Sequence, residues 1–183
     1  MKQKNTTLNI VMVALFTAMT YVATQIIHIP MPGAFVHCGN VMVLLSVLLL
    51  GYTKGALAGG LGLALFDVLN GYITEAPYFI VESFVVGAAA WLFFHFIFKE
   101  KVDKPADLWK IVVTAIATGC AKLFMTQLKN TIVFMYGGSN FHVAFTAATV
   151  KLPASFINVG VTIVLVTILF LPLDKALSKL NLR

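Results

Sequence analysis

The sequence predicts an all-α integral membrane protein with six transmembrane helices and both termini cytoplasmic. Three observations predict it. Of the 183 residues, 60% are hydrophobic and only 11% charged, against roughly 45–50% apolar and about 25% charged in a soluble domain, which excludes a water-soluble globule. The apolar residues fall in long runs, and six helices of about 20 residues each use up most of the chain. That leaves one membrane domain, residues 1–183, and no room for a soluble catalytic domain. Finally, the basic residues collect on alternate connections.

The first helix is expected over about 8–27, because the apolar run from Leu8 to Ile27 is longer than a signal-peptide h-region of about 7–15 residues. His28-Ile29-Pro30-Met31-Pro32-Gly33 ends it, since prolines remove backbone donors and favour turns. The second helix, about 39–52, spans only about 20 Å against a hydrocarbon core of roughly 30 Å, so the loop over 28–40 is expected to dip inward and cover something. Gly51-Tyr52-Thr53-Lys54-Gly55 turns the chain into a third helix, about 55–71, and Pro77 opens a fourth, about 77–98. After the polar stretch 99–107, a fifth helix covers about 108–136, Gly137-Gly138-Ser139-Asn140 breaks it, and a sixth covers about 150–171.

Orientation follows from the bases. With a cytoplasmic N-terminus, the inner edge holds Lys2, Lys4, Lys54, Lys99, Lys101, Lys104, Lys110, Lys175, Lys179 and Arg183, whereas loops 28–40, 72–76 and 137–148 contain no Lys or Arg. The inner bases, set against Glu100, Asp103, Asp107 and Asp174, account for the whole net charge of +6. The remaining charges are Lys122, Lys129 and Lys151 with Asp67, Glu75 and Glu82, a neutral set in the outer half. Charges in hydrocarbon cost at least about 2.5–3.5 kcal/mol, so such residues face a bundle interior or a water-filled cavity.

At 100° per residue, Lys122, Thr126 and Lys129 fall within about 60° on the fifth helix, with Asn130 on the flank. Lys151, Ser155, Asn158 and Thr162 repeat the stripe on the sixth. Facing Tyr78 and Glu82 of the fourth, they would enclose a cavity, with Phe35, His37 and Asn40 at its mouth. Aromatic rings there suit a flat heterocycle and a few polar groups fix its edge. The plainer alternative has Lys129 and Lys151 snorkelling and Glu82 pairing with one of them, and Lys122 in an ion pair with Asp67 or Glu82. Cys38 and Cys120 read as free thiols, and His28, His37, His95 and His142 lie on separate segments without metal-ligand spacing. No metal site and no cofactor are expected. No GxxxxGK[ST] loop is present, so any use of ATP falls to a partner.

Ala14-x-x-x-Ala18 on the first helix, the run Pro30-Met31-Pro32-Gly33 with Phe35-Val36-His37-Cys38-Gly39-Asn40, and then Leu50-Gly51, Lys54-Gly55-Ala56, Gly59-Gly60, Asp67-Val68-Leu69 and Gly71-Tyr72 make up a pattern. It resembles the S components of energy-coupling factor (ECF) vitamin transporters, in the riboflavin-type branch that includes hydroxymethylpyrimidine transporters. The resemblance implies capture of a vitamin at the outer face of a bacterial cell membrane by helices four to six and loop one, followed by toppling and inward release. It implies as partners a transmembrane coupling protein and two ATPase subunits that hold ATP and Mg, with Ala14 and Ala18 docking the coupling protein. Hydroxymethylpyrimidine is the expected substrate, ahead of pyridoxine-like compounds, riboflavin and pantothenate. Glu82 would accept from a ring amine or hydroxyl, Lys122, Lys129, Asn130 and Asn158 would donate, and Phe35 and Tyr78 would stack. Two other classes compete: an intramembrane enzyme using Glu82 with Lys122 or a histidine, which lacks a nucleophile beside a base, and a purely structural subunit.

Overall fold

The computed structural model describes residues 6–31, 34–100, 102 and 104–179. Lys2, Lys4, Pro32, Gly33, Lys101, Asp103 and Arg183, used above for turns and orientation, lie outside the described residues. The chain runs α1 (Thr6–Ile26), β1 (His28–Met31), β2 (Ala34–His37), α2 (Gly39–Leu50), α3 (Tyr52–Leu69), α4 (Ala76–Trp91), α5 (Leu108–Tyr136), α6 (Phe141–Thr149) and α7 (Leu152–Lys179). Four helical stretches are long and apolar enough to cross a membrane: Thr6–Ile26, Ala76–Ile97, Pro105–Tyr136 and Leu152–Lys179. The 12-residue α2 and the glycine-rich α3 fall below that measure.

The core is built around α2. A helix that is hydrophobic all round must be buried, and α2 is, from Val41 to Leu49, against α1, α3, α4 and α7. The glycines of α3 permit this. A Cβ on Gly55 would lie 2.4 Å from the Ser46 backbone, one on Gly59 2.9 Å from Val43, and one on Gly62 2.4 Å from Thr20 of α1. Two hydroxyls reinforce the close approach, Ser46 Oγ donating towards Gly55 O (2.8 Å) and Thr17 Oγ1 to Ala58 O (3.2 Å). On α1 the buried stripe is Met12, Phe16, Thr20 and Thr24, while Ala14 and Ala18 lie on the exposed side.

Several boundaries differ from expectation. The turn expected over 51–55 narrows to Gly51, whose φ of 83° reverses the chain so sharply that Tyr52 already starts α3. The fourth helix widens at its end into a π-helical stretch, Leu92–Ile97. Part of the expected loop 137–148 is the helix α6, started by Asn140, whose side chain accepts from Val143 N–H at 3.0 Å. The last helix continues past 171 through Pro172 to Lys179, because buried Phe170 and Leu171 and the half-buried Leu173 and Leu177 keep that turn packed on the core.

Within the expected loop 28–40, β1 and β2 pair antiparallel as a hairpin, with His28 opposite His37, Ile29 opposite Val36, Pro30 opposite Phe35 and Met31 opposite Ala34, and α2 already starts at Gly39. At 1.5 Å per residue α2 is only about 18 Å long, well short of a roughly 30 Å hydrocarbon core. The hairpin leads directly into α2 and, with the surrounding helices, borders a cavity.

Candidate functional site

The cavity has a volume of about 410 Å³ and is walled by the hairpin, the end of α3, the start of α4, the middle of α5 and the start of α7, with Thr24 from α1. Phe35, His37, Tyr78, Glu82, Lys122, Lys129, Asn130, Lys151 and Asn158 all line it. Asn40 does not. As the second residue of α2 it lines instead a void of about 20 Å³ with Thr118, Lys122 and Thr162, and its Nδ2 is buried without a hydrogen-bond partner among the described residues. Glu75, Asp67, His28 and Phe79 also line the cavity, although the sequence reading did not assign them to the site.

Two ion pairs join α4 and Glu75, the residue just before it, to α5. Lys122 Nζ lies 2.5 Å from Glu82 Oε2, and Glu82 Oε1 accepts from Tyr78 OH at 2.6 Å. Lys129 Nζ pairs with Glu75. Each ammonium also sits over a ring, Lys122 above Phe79 at 5.2 Å and Lys129 above Tyr78 at 4.9 Å, so cation–π attraction adds to the carboxylate contact. Of the alternatives left open for Lys122, the partner is Glu82 and not Asp67; Glu82 does not pair with Lys129 or Lys151. A signal for the ladder was present in the sequence. Both carboxylates and both lysines are seven residues apart, which is two helical turns and hence one face on each of two facing helices.

Asn158, which lines the cavity, also holds the hairpin. Its Oδ1 accepts from His37 N–H and its Nδ2 donates to Phe35 C=O, both at 2.9 Å, so the carboxamide occupies the free edge of β2 as a neighbouring strand would. It ties the hairpin to α7. Asn130 Nδ2 is likewise engaged, donating to Thr126 O at 2.7 Å. Lys151 lines the cavity with no ion pair among the described residues, so it is the ammonium still open to an incoming group.

His37 is held neutral. Its Nδ1 accepts Gly39 N–H at 3.1 Å, which puts the ring proton on Nε2. Burial foremost, then the charge of Lys122 and the neighbouring His28, push its pKa from 6.5 down to about 3. The unfolded chain therefore takes up a proton near pH 6.5 that the folded chain refuses until about pH 3. Stability is full above pH 6.5 and should fall as the pH drops through that window, by up to about 1.4 kcal/mol per pH unit. Melting curves in detergent between pH 7 and 4.5 check this: the slope is expected to flatten in His37→Asn, and an unchanged slope would reject the assignment.

The cavity combines an aromatic hairpin face, one buried and one half-buried ion pair, and a lysine without an ion pair among the described residues. No curated protein matches the chain. A sequence model of the family described as "ECF-type riboflavin transporter, S component" matches residues 4–177. That span takes in the hairpin and all of the helices but the last two residues of α7, and so the chain belongs to the family of ECF-type riboflavin transporter S components.

Proposed function

We propose that this chain captures a water-soluble vitamin bearing a flat nitrogen heterocycle in the hairpin-covered cavity, and delivers it inward with the help of partner subunits. Family membership supports a vitamin-capture subunit of a transporter and not an enzyme. The observation that carries the site is the cavity itself, bordered by Phe35 and Tyr78 for stacking and by Glu82, Lys122, Lys129 and Lys151 for polar contacts. In this reading the six helices cross a bacterial cell membrane with both termini cytoplasmic, and the hairpin end faces outward. ATP and Mg belong to two partner ATPases, and exposed Ala14 and Ala18 dock the transmembrane coupling protein. Toppling of the chain accounts for release.

Within this class the finer reading is hydroxymethylpyrimidine, the thiamine precursor. A second reading is riboflavin, which the family description names and the cavity size favours: 410 Å³ lies within the roughly 300–1,000 Å³ typical of drug-sized ligands, so a three-ring ligand would fill it and a single pyrimidine would share it with water. Titration calorimetry of the detergent-purified chain with hydroxymethylpyrimidine, riboflavin, pyridoxine and pantothenate decides between them. Nanomolar-range affinity for one, lost in Glu82→Ala, is the expected result, and binding to none overturns the proposal. Leu at both Ala14 and Ala18 should leave that affinity intact while transport and copurification with the coupling protein fall; retained transport would count against docking there.

A further inference from the structure

Asp67 is the acidic group of the cavity that the ion-pair ladder leaves out. Glu75 and Glu82 are tied to Lys129 and Lys122, whereas Asp67, only 6% exposed, has no ion pair and no side-chain hydrogen bond among the described residues. Its Oδ2 is buried with no hydrogen-bond partner among the described residues. A buried carboxyl group without a donor is costly.

Its surroundings say what would satisfy it. Asp67 sits in the last turn of α3, next to Phe66, and its main-chain oxygen accepts Tyr72 N–H at 2.7 Å. Phe66 and Phe35 both meet the His28 ring edge-on, at 5.2 and 4.1 Å between centroids, and Tyr72 lies 5.7 Å from Phe35. The carboxyl group thus lines the cavity beside a cluster of rings. A flat ring resting on that cluster would present its edge to Asp67, and a carboxyl group can only satisfy its acceptor oxygens from an N–H or O–H.

We infer that Asp67 is a specificity-determining residue that accepts a hydrogen bond from an amino or ring N–H group on the edge of the bound heterocycle. The inference rests on the vitamin-capture reading and narrows it: the ligand has a donor edge for Asp67 in addition to acceptor groups for the lysines. A ring lacking that hydrogen leaves the buried carboxyl group unpaired, and sites built to hydrogen-bond a substrate N–H or O–H discriminate strongly against analogues without it.

The test measures, for the full chain in detergent, the ratio of dissociation constants between each parent ligand and its donor-less analogue. The pairs are hydroxymethylpyrimidine against its desamino form, and riboflavin against 3-methylriboflavin. The wild type should prefer the parent by at least about tenfold. In Asp67→Ala and Asp67→Leu, which leave no acceptor on the side chain, that ratio should collapse to within about twofold, mainly through weaker binding of the parent. A wild-type ratio near one, or a ratio preserved in either folded variant, overturns the inference while leaving vitamin capture standing. Binding of neither parent by the wild type overturns the capture reading itself. Should neither variant fold, the wild-type ratio decides alone.

Discussion

Lys122→Met should cost the folded protein about 3–5 kcal/mol, because it strands the Glu82 carboxylate in the bundle interior. Glu82 is 2% exposed and Lys122 is 9% exposed, so neither charge can recover hydration by a small rotation. Glu82→Gln should be severe for the mirror reason, even though an amide oxygen still accepts from Tyr78 OH. The double variant Glu82→Gln/Lys122→Met should recover most of the loss, since removing both charges removes the desolvation penalty along with the attraction. The outer pair is the control. Lys129 and Glu75 are half-buried, their attraction is screened by solvent, and breaking that pair should cost no more than about 1 kcal/mol. Equilibrium unfolding of the four variants in detergent reads all of this. If the losses of the two inner single variants simply add in the double, the two charges are independent and the ladder has no coupling at its inner rung.

That ladder also marks what the sequence could and could not disclose. The four helical stretches long and apolar enough to span were legible because lipid imposes length and apolarity on each of them separately, a local property of the chain. The charges set within the apolar runs were legible for the same reason: Lys122 and Glu82 are too deep in those runs to be solvated, and both are buried. Which lysine meets which carboxylate depends on how α4 and α5 are staggered, and hydropathy does not carry that. Asn158 shows the limit most clearly. Its place on the polar stripe of α7 points to a ligand donor and gives no hint that the carboxamide also bonds the backbone of β2 at both ends, a pairing that exists only once the hairpin has formed. The hairpin was hidden because two prolines in six residues argue against a strand, whereas here Pro30 and Phe35 lie opposite each other in a two-stranded ribbon that needs few bonds. For α6 the cue was present in Asn140 followed by an apolar stretch, and the glycine pair before it masked it.

A comparably large effect on folding should come from a change far from the cavity. Gly55→Val puts a Cβ where 2.4 Å separates it from the carbonyl carbon and oxygen of Ser46, and from Val47 Cα. Those are main-chain atoms inside a buried helix, so no side-chain rotation relieves the clash and α2 and α3 must separate. The separation would also break the Ser46 hydroxyl contact to Gly55 O and expose the all-apolar α2. A loss of about 3 kcal/mol or more, the upper end for overpacking, is expected, read as failure to recover monodisperse protein from detergent or as a collapsed melting temperature. Gly160→Ala is the matched comparison. It sits inside α7 with nothing within 4 Å of the position its Cβ would take, so only helix propensity changes, and stability should rise by about 0.5–1 kcal/mol. The contrast separates two roles for glycine in one bundle: at 55 it sets how closely α3 approaches the central helix, and so the frame on which α3 carries Asp67 to the cavity; at 160 it does no packing. A Gly55→Val chain as stable as the wild type would mean that the spacing of α2 and α3 is free to relax, and that the cavity's position does not depend on it.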